Sequence, residues 1–465
     1  MEFSITLDPA SAEPLYLQIA NHLRATVAAG QLARGARLPS ARALAAQLGI
    51  ARGTVDAAYD LLAAEGATEP RGAAGTVVSK QLTARVAEPA QRPMPFGNRA
   101  ETFTGAPRPF RVGLPALDAF PHKPWSNLVV HAARAGAVEH LAWPDPAGHL
   151  PLRQAIAKWL GAARGIVCSA EQVLIVNGFQ GALALARQVL VRPGDPVWVE
   201  DPGYSPTRQA LEASGAKLVP VRVDRDGMRV AAGIVAAPKA RLVVVTPAHQ
   251  SPLGVALSLP RRLALLDWAA ETGAWVLEDD FDGVFRHAGH PLPALKSLDR
   301  GERVIYAGSF SKTLFPGLRL GYLVAPAEIA DAFLRAGKLL GGVPALEQRV
   351  VAAFIESGGF VRHLKRMRVL YSGRRRALAA ALNGAFGDRI EVEPTSGGLH
   401  LLARFPGAED DGVLVRRALA AGLAPSALSA LTMAHDAGQG LLLGFGNISE
   451  IEAEAMAARL AAAIG

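Results

Sequence analysis

Hydrophobic positions recur every four residues near the start of the chain. Leu15, Ile19, Leu23 and Val27 share one face of a helix, and Gly30 ends it. Pro39-Ser40 opens a short helix around Ala41 to Leu48, Gly49 makes a turn, and Val55, Tyr59 and Leu62 mark the inward side of a third helix. Helix, tight turn, helix is the arrangement that lets a second helix project into a major groove. Gly72 and Gly75 then bracket a tight turn before Thr76-Val77-Val78, which suits a two-stranded wing. From Gln81 to Pro124 no long apolar period survives, and Pro89, Pro93, Pro95, Pro107, Pro109, Pro115, Pro121 and Pro124 deny the segment regular helix or central strand, so it reads as a linker. Beyond it, apolar β-type runs alternate with longer Ala/Leu-rich helical stretches up to Gly465, the pattern of an α/β domain.

The 465 residues are enough for two or three domains. With 50% hydrophobic and 19% charged residues the chain can bury large cores, which excludes a disordered tail. Its single cysteine, Cys168, excludes an internal disulfide and a Cys-rich zinc module, and makes a reducing cytoplasm the natural setting. Glu2 and Asp8 stand where a secretory signal would be basic, so export is not expected. The longest uncharged stretches, Leu242 to Pro260 and Ala418 to His435, are interrupted by proline, glycine or serine, and no membrane partner is expected. Net charge is +8, which permits a polyanionic partner. The basic residues are unevenly placed: no acid lies between Glu13 and Asp56, an interval that holds Arg24, Arg34, Arg37, Arg42 and Arg52. A phosphate backbone would be attracted there, although a small helical domain with a solvated basic face fits the helix spacing equally.

The run PLYLQIANHLRATVAAGQLARGARLPSARALAAQLGIARGTVDAAYDLLAAEG, followed by RGAAGTVV, resembles the winged helix-turn-helix of the GntR family of bacterial regulators over residues 11–80. The resemblance implies a double-stranded DNA operator as partner, with Arg42 and Arg52 on DNA, Thr54 at the backbone near the recognition-helix start, and Arg71 with Gly72 on the wing. Arginine can grip guanine O6 and N7 with two bonds, worth about 1–3 kcal/mol of base discrimination. Ala51 stands where the family often has serine or threonine, a change expected to remove a phosphate contact and leave the fold alone.

In the larger part, the β-type run Arg303 to Ala307 leads into Gly308-Ser309-Phe310-Ser311-Lys312, which places a lysine at a strand end between hydroxyls. Partial desolvation there weakens the lysine's preference for the charged form, as Schiff-base chemistry with an aldehyde requires. Ser309 and Ser311 offer phosphate ligands, and Arg319 offers a planar fork. A lysine in a Ser-rich turn can also be a plain surface residue. Ala274 to Leu277 leads into Glu278-Asp279-Asp280, carboxylates just past a buried run that need a cationic partner such as a pyridinium nitrogen, or that cap a helix. Asn177-Gly178-Phe179-Gln180-Gly181 follows the strand Val173 to Val176, with a helix from about Gly181 whose first N–H groups could hold a phosphate. Tyr204, in Asp201-Pro202-Gly203-Tyr204, could lie against an aromatic ring or in the core.

In chain order, WPDPAGHLPLR, NGFQGALALA, VWVEDPGYSPTR, TPAHQSPLG, VLEDDFDGVFR, GSFSKTLFPGLRLGY and TSGGLHLLARF resemble the fold-type I aminotransferases that use pyridoxal 5'-phosphate, over about residues 110–465. The resemblance implies that Lys312 forms the Schiff base, that Asp279 faces the pyridine nitrogen, with Asp280 as the alternative register, and that Tyr204 stacks on or flanks the ring. It also implies that Gly178, Phe179, Ser309, Ser311 and Arg319 surround the phosphate. Both halves together resemble the MocR/GabR subfamily of GntR regulators. The expected fold is α/β: a winged helix-turn-helix over residues 11–80, a linker over 81–109, and a PLP-dependent fold-type I aminotransferase-like domain over 110–465. That domain would have a mixed, mainly parallel sheet and a smaller C-terminal α+β subdomain. The subfamily also implies a head-to-tail, domain-swapped homodimer in which a cofactor-linked ligand changes the spacing of the two DNA-binding units.

Four positions depart from a working transaminase. Phe281 replaces a tyrosine that bonds the cofactor's phenolic oxygen, Trp143 stands where a neighbouring subunit's tyrosine often reaches the phosphate, and Ser251 replaces the asparagine of an Asn-Pro-x-Gly signature. The fourth is Gly440 to Phe445, which holds no arginine for a substrate carboxylate. The expected function is therefore a cytoplasmic, PLP-dependent transcription regulator sensing an amino compound or PLP itself. A true aminotransferase with a vestigial DNA-binding head is the alternative.

Overall fold

The structure, a computed structural model, describes residues 5–72, 75–80, 106–135, 142–286, 292–393, 395, 397–407 and 410–465. It divides into two units, residues 1–102 and 103–465.

In the first unit, Leu15–Ala28 forms α1 and buries Ile19, Ala20 and Leu23, as the four-residue spacing predicts. Helix α2, Ala41–Leu48, starts where the Ser40 hydroxyl accepts from the Ala43 amide at 3.2 Å and stops at the left-handed Gly49. Helix α3, Arg52–Ala64, buries Val55, Ala58, Tyr59 and Leu62 against both. Strands β1 (Thr68–Pro70) and β2 (Thr76–Val78) pair antiparallel as the wing. Ala51 is the N-cap of α3 and contributes no side-chain bond. Alanine at this cap leaves the helix formed, at the cost of the side-chain bond that a serine or threonine would add, worth about 1 kcal/mol.

The second unit is built on eight strands: β3 (Val173–Val176), β4 (Pro196–Asp201), β5 (Lys217–Asp224), β6 (Gly227–Met228), β7 (Leu242–Val245), β8 (Trp275–Asp280), β9 (Val304–Ser309) and β10 (Gly321–Val324). Their order is β3-β10-β9-β8-β7-β4-β5-β6. The strand pairs β5/β4, β4/β7, β7/β8 and β8/β9 are parallel, whereas β10 runs antiparallel to β9 and β3, and β6 to β5. The sheet is mixed and mainly parallel. Leu242 and Val244 pack into the apolar layer on one face, Val243 and Val245 into the layer on the other. Covering both faces is why these strands read as unbroken apolar runs. On one side Trp198 of β4 stacks on Trp268 of the helix Leu259–Thr272, ring centroids 4.1 Å apart.

A smaller antiparallel sheet follows, β11 (Glu391–Val392), β12 (His400–Arg404), β13 (Ser426–Ala427) and β14 (Leu441–Gly444), in the order β11-β12-β14-β13. The helices Gly359–Phe386, Asp411–Ala420 and Ala453–Ile464 accompany it. Phe110 is fully buried and bridges Gly444 of β14, which ties the chain entering this unit to the small sheet.

One local expectation is corrected. Pro124 lies in the first turn of α4, His122–Arg134, where proline costs no intrahelical bond, so the irregular segment ends before it. Residues 81–105 of the expected linker lie outside the described residues. Among the described residues no helix is long and apolar enough to cross a membrane.

Candidate functional site

Parallel strands present their carboxyl ends together, and side chains just beyond them converge. Here β8 ends at Asp279-Asp280 and β9 at Ser309, while β3 leads into Gly178 and β4 into Tyr204. The result is a cavity of about 360 Å³, large enough for a small organic cofactor. Phe179, Tyr204, Asp279, Ser309, Ser311, Lys312 and Arg319 all line it.

Lys312 reaches the cavity from the turn after β9, and its Nζ donates to the Gly113 carbonyl at 2.6 Å. Burial lowers its pKa, against the pull of Asp282 and Asp279. Asp279 and Asp280 are neighbours on β8, so their side chains take opposite faces. The Asp280 carboxylate accepts from the Tyr306 hydroxyl at 2.5 Å and meets Arg164 at 2.8 Å, both carboxylate and guanidinium buried. Asp279 faces the cavity with Oδ1 unpartnered, and burial, followed by Asp280 and Asp282, pushes its pKa well above the usual carboxylate range. A buried acid in that condition accommodates a cation, which would restore its charged form. That orphaned oxygen favours Asp279 over Asp280 as the partner of a ring nitrogen.

The phosphate end also fits. Helix α5, Leu150–Arg164, precedes β3, and helix α6, Gly178–Leu190, begins three residues earlier than the sequence pattern suggests. Gly178 takes φ +66° at its first position, and a Cβ on Gly321 would come within 2.8 Å of the Gly178 Cα. Glycine at 321 therefore lets β10 close against this turn, beside Arg319. The Ser311 amide donates to Ser309 Oγ at 3.1 Å, and Arg319 makes no ion pair among the described residues. Tyr204 stands at the cavity mouth, 46% exposed, its ring 6.5 Å from Phe179. Trp143 is 96% exposed and away from the cavity on its own chain.

Several lining residues were assigned no role from the sequence: Gly113, Asp282, His400 and Leu399, and Gln180 and Leu442 stand in stretches that were noted without being placed in the cavity. Asp282 sits in a motif already singled out and could have been found by counting on from Asp279. Gly113 lies 199 positions from Lys312, and nothing local marks it. Glu200 of β4 was missed too. Its carboxylate accepts from the Thr246 hydroxyl at 2.5 Å and the Thr246 amide at 3.2 Å.

Burial pushes the Glu200 pKa from 4.5 to about 7, despite the bonds from Thr246 and Gln250. The folded protein therefore keeps a proton that the unfolded chain has lost, so stability declines as pH rises from about 4.5 to about 7. Relative to Glu200→Gln, the wild type should lose stability between about pH 4.5 and pH 7 in urea titrations. Parallel pH profiles would refute this.

In the first unit, the arginines divide. Arg42, at the start of α2, and Arg52, at the start of α3, are exposed, and Arg52 pairs with Asp56 at 3.2 Å. Thr54 lies in the first turn of α3, and Arg71 and Gly72 lie at the tip of the wing, where the Arg71 amide donates to Gly75. Arg24, counted among the basic residues of the interval, is instead tied to Glu65 at 2.5 Å.

Comparisons with known proteins match both units. Residues 15–78 match the bacterial regulatory proteins of the gntR family, and residues 127–429 match aminotransferase class I and II. The chain is 38% identical to the probable rhizopine catabolism regulatory protein MocR of Rhizobium meliloti, over 96% of this chain and 92% of that one. It is 32% identical to the pyridoxine biosynthesis transcriptional regulator PdxR of Corynebacterium glutamicum, over 97% and 96%. Among solved structures, the kynurenine aminotransferase of Pyrococcus horikoshii, in complex with PMP, is similar with a TM-score of 0.70 at 28% identity, over 79% of this chain and 96% of that one.

Proposed function

Because this chain belongs to the MocR/GabR subfamily of GntR transcription regulators, with a helix-turn-helix head and an aminotransferase class I and II fold, we propose that its large unit binds pyridoxal 5'-phosphate and uses it to sense a small molecule. The observation that carries the reading is the meeting of Lys312, Asp279 and the Ser309, Ser311 and Arg319 cluster around one cavity.

When bound, the cofactor would supply an aldehyde reactive toward amines. Lys312 would hold it covalently, burial disfavouring the charged form of its amine. Asp279 would hold a proton on the ring nitrogen and Tyr204 would cover the ring. Ser309, Ser311, Arg319 and the amides at Gly178 and Phe179 would hold the phosphate. Phe281 also lines the cavity and cannot donate a hydrogen bond, so the phenolic oxygen would lack that partner. Losing one hydrogen bond to a charged group costs about 1.5–3 kcal/mol, which weakens the hold without abolishing it.

The head would read an operator through Arg42, Arg52, Thr54, Arg71 and Gly72, in a cytoplasmic homodimer. Occupancy of the large unit would favour one dimer geometry and so change half-site fit, for which a coupling of about 1–3 kcal/mol gives a 5- to 150-fold change in affinity. The effector is an amino compound or pyridoxal 5'-phosphate itself.

Fluorescence anisotropy on operator DNA, with and without cofactor and amines, tests the reading. An unchanged DNA affinity under every ligand would overturn it. Arg52→Ala should weaken operator binding by about 5- to 150-fold, as expected for one two-bonded guanine contact, with the cofactor spectrum unaltered. Equal weakening on scrambled DNA would reassign Arg52 to the phosphate backbone.

A further inference from the structure

Part of the lining of the Lys312 cavity differs in chemistry from the Ser309, Ser311 and Arg319 cluster. Val112, Leu399, Leu431 and Leu442 form it, with Leu442 on β14 and Leu431 just before the Met433 amide that bonds Asp201. Among the described residues the only cations lining the cavity are Lys312 and Arg319. Once a cofactor aldehyde and phosphate engage those two, no other positive side chain among the described lining residues remains for a ligand; Arg208, in the adjoining recess that shares Tyr204, Asp279 and Leu431, donates to the Thr432 carbonyl at 3.1 Å. The acids remain. Asp282 lines the same space, its carboxylate 2% exposed, with Oδ1 3.1 Å from His249 Nδ1 and Oδ2 without a partner. His400, beside it, is held neutral near pH 7 because burial lowers its pKa to about 4.

From this arrangement we infer that the effector is a primary aliphatic amine carrying no carboxylate, sulfonate or phosphate, its carbon body lying on the Leu399, Leu431 and Leu442 wall. This deepens the cofactor reading and rests on it. An anionic tail would lose its hydration against leucine side chains and face the Asp282 carboxylate, with no uncommitted cation among the described lining residues to repay either loss. An uncharged tail meets a surface of its own kind. The Asp282 Oδ2 accepts a hydrogen bond from an N–H or O–H on the ligand, and is the polar group that fixes orientation.

The test uses cofactor-saturated full-length protein titrated with n-butylamine, 4-aminobutyrate and 2-aminopentanoate, matched in length and differing in the acid group. Absorbance of the bound cofactor and anisotropy on operator DNA are the readouts. The amine should reach half-effect at a concentration about 100-fold or more below either acid, the scale of a buried polar group left unpaired. Leu442→Arg should narrow that gap by about tenfold or more by improving the acids, because it supplies the missing cation. Acids that act as well as n-butylamine on the wild type, or an amine without effect on either readout, would overturn the inference. If reductive trapping leaves Lys312 unmodified, the cofactor reading itself fails and this inference falls with it. Trapping at Lys312 together with equal response to acids sinks only the inference.

Discussion

Lys312→Ala should abolish covalent cofactor retention: the visible band of the loaded protein disappears, and borohydride treatment followed by peptide mapping recovers no modified peptide from the Ser309 to Arg319 segment. The effect should be all or none, because Lys312 is the one lysine lining the cavity among the described residues. The response of DNA binding to amines should vanish with it. The apo protein should fold at least as stably as the wild type, since burial already disfavours the lysine's charge. An adduct that persists in the variant would move the covalent site elsewhere. The wild type also separates a sensor from an enzyme. Repeated amino-group transfer to 2-oxoglutarate would identify a transaminase with a vestigial head, whereas Phe281 and Leu442 lead us to expect a single spectral change and no sustained turnover.

Arg164→Leu should be the most destabilising single change in the large unit. The guanidinium lies 2.8 Å from the Asp280 carboxylate, each side chain 1% exposed, and also donates to the Leu292 carbonyl at 3.1 Å. Removing it leaves a buried carboxylate with the Tyr306 hydroxyl as its remaining bonded partner, and breaking such a pair from one side costs about 3–5 kcal/mol. Tryptophan fluorescence in urea suits the measurement, because all six tryptophans lie between residues 125 and 275, in the large unit. Arg164→Leu combined with Asp280→Leu should recover most of the loss, since two apolar side chains replace the pair without stranding a charge. A loss below about 1 kcal/mol in the single variant would mean that Asp280 is neutralised by other means. The pair also bears on the cavity. Arg164 holds Asp280 on the face of β8 opposite the one from which Asp279 lines the cavity.

The helices of the head were legible because each depends on neighbours three and four residues apart, and the burial of Ile19, Leu23, Val55 and Leu62 follows from that spacing. The order of motifs in the large unit likewise marks which residues stand at strand ends, and seven of the predicted cofactor residues line one cavity. Three things were not legible. Pro124 looked like a helix breaker because its effect depends on where the helix begins, which the packing of α4 decides. The lost helix cap at Ala51 needed the N-terminal boundary of α3. The Asp279/Asp280 choice stayed open because β8 is buried on both faces, so its residues show no alternation from which a face could be read.

The order of residues alone shows the chemistry available: a lysine among hydroxyls, carboxylates after an apolar strand, a basic helix-turn-helix, and no arginine near Leu442. How those groups meet depends on the folded chain. It put the Gly113 carbonyl on Lys312, sent Asp280 to Arg164 and Asp279 to the cavity, and brought Leu442 into the wall of that same cavity. The reason is separation along the chain. Local spacing fixes helices and turns through contacts within a few residues, whereas the cavity is made by strand ends and loops hundreds of residues apart, and their positions follow from how the two apolar layers close over the sheet.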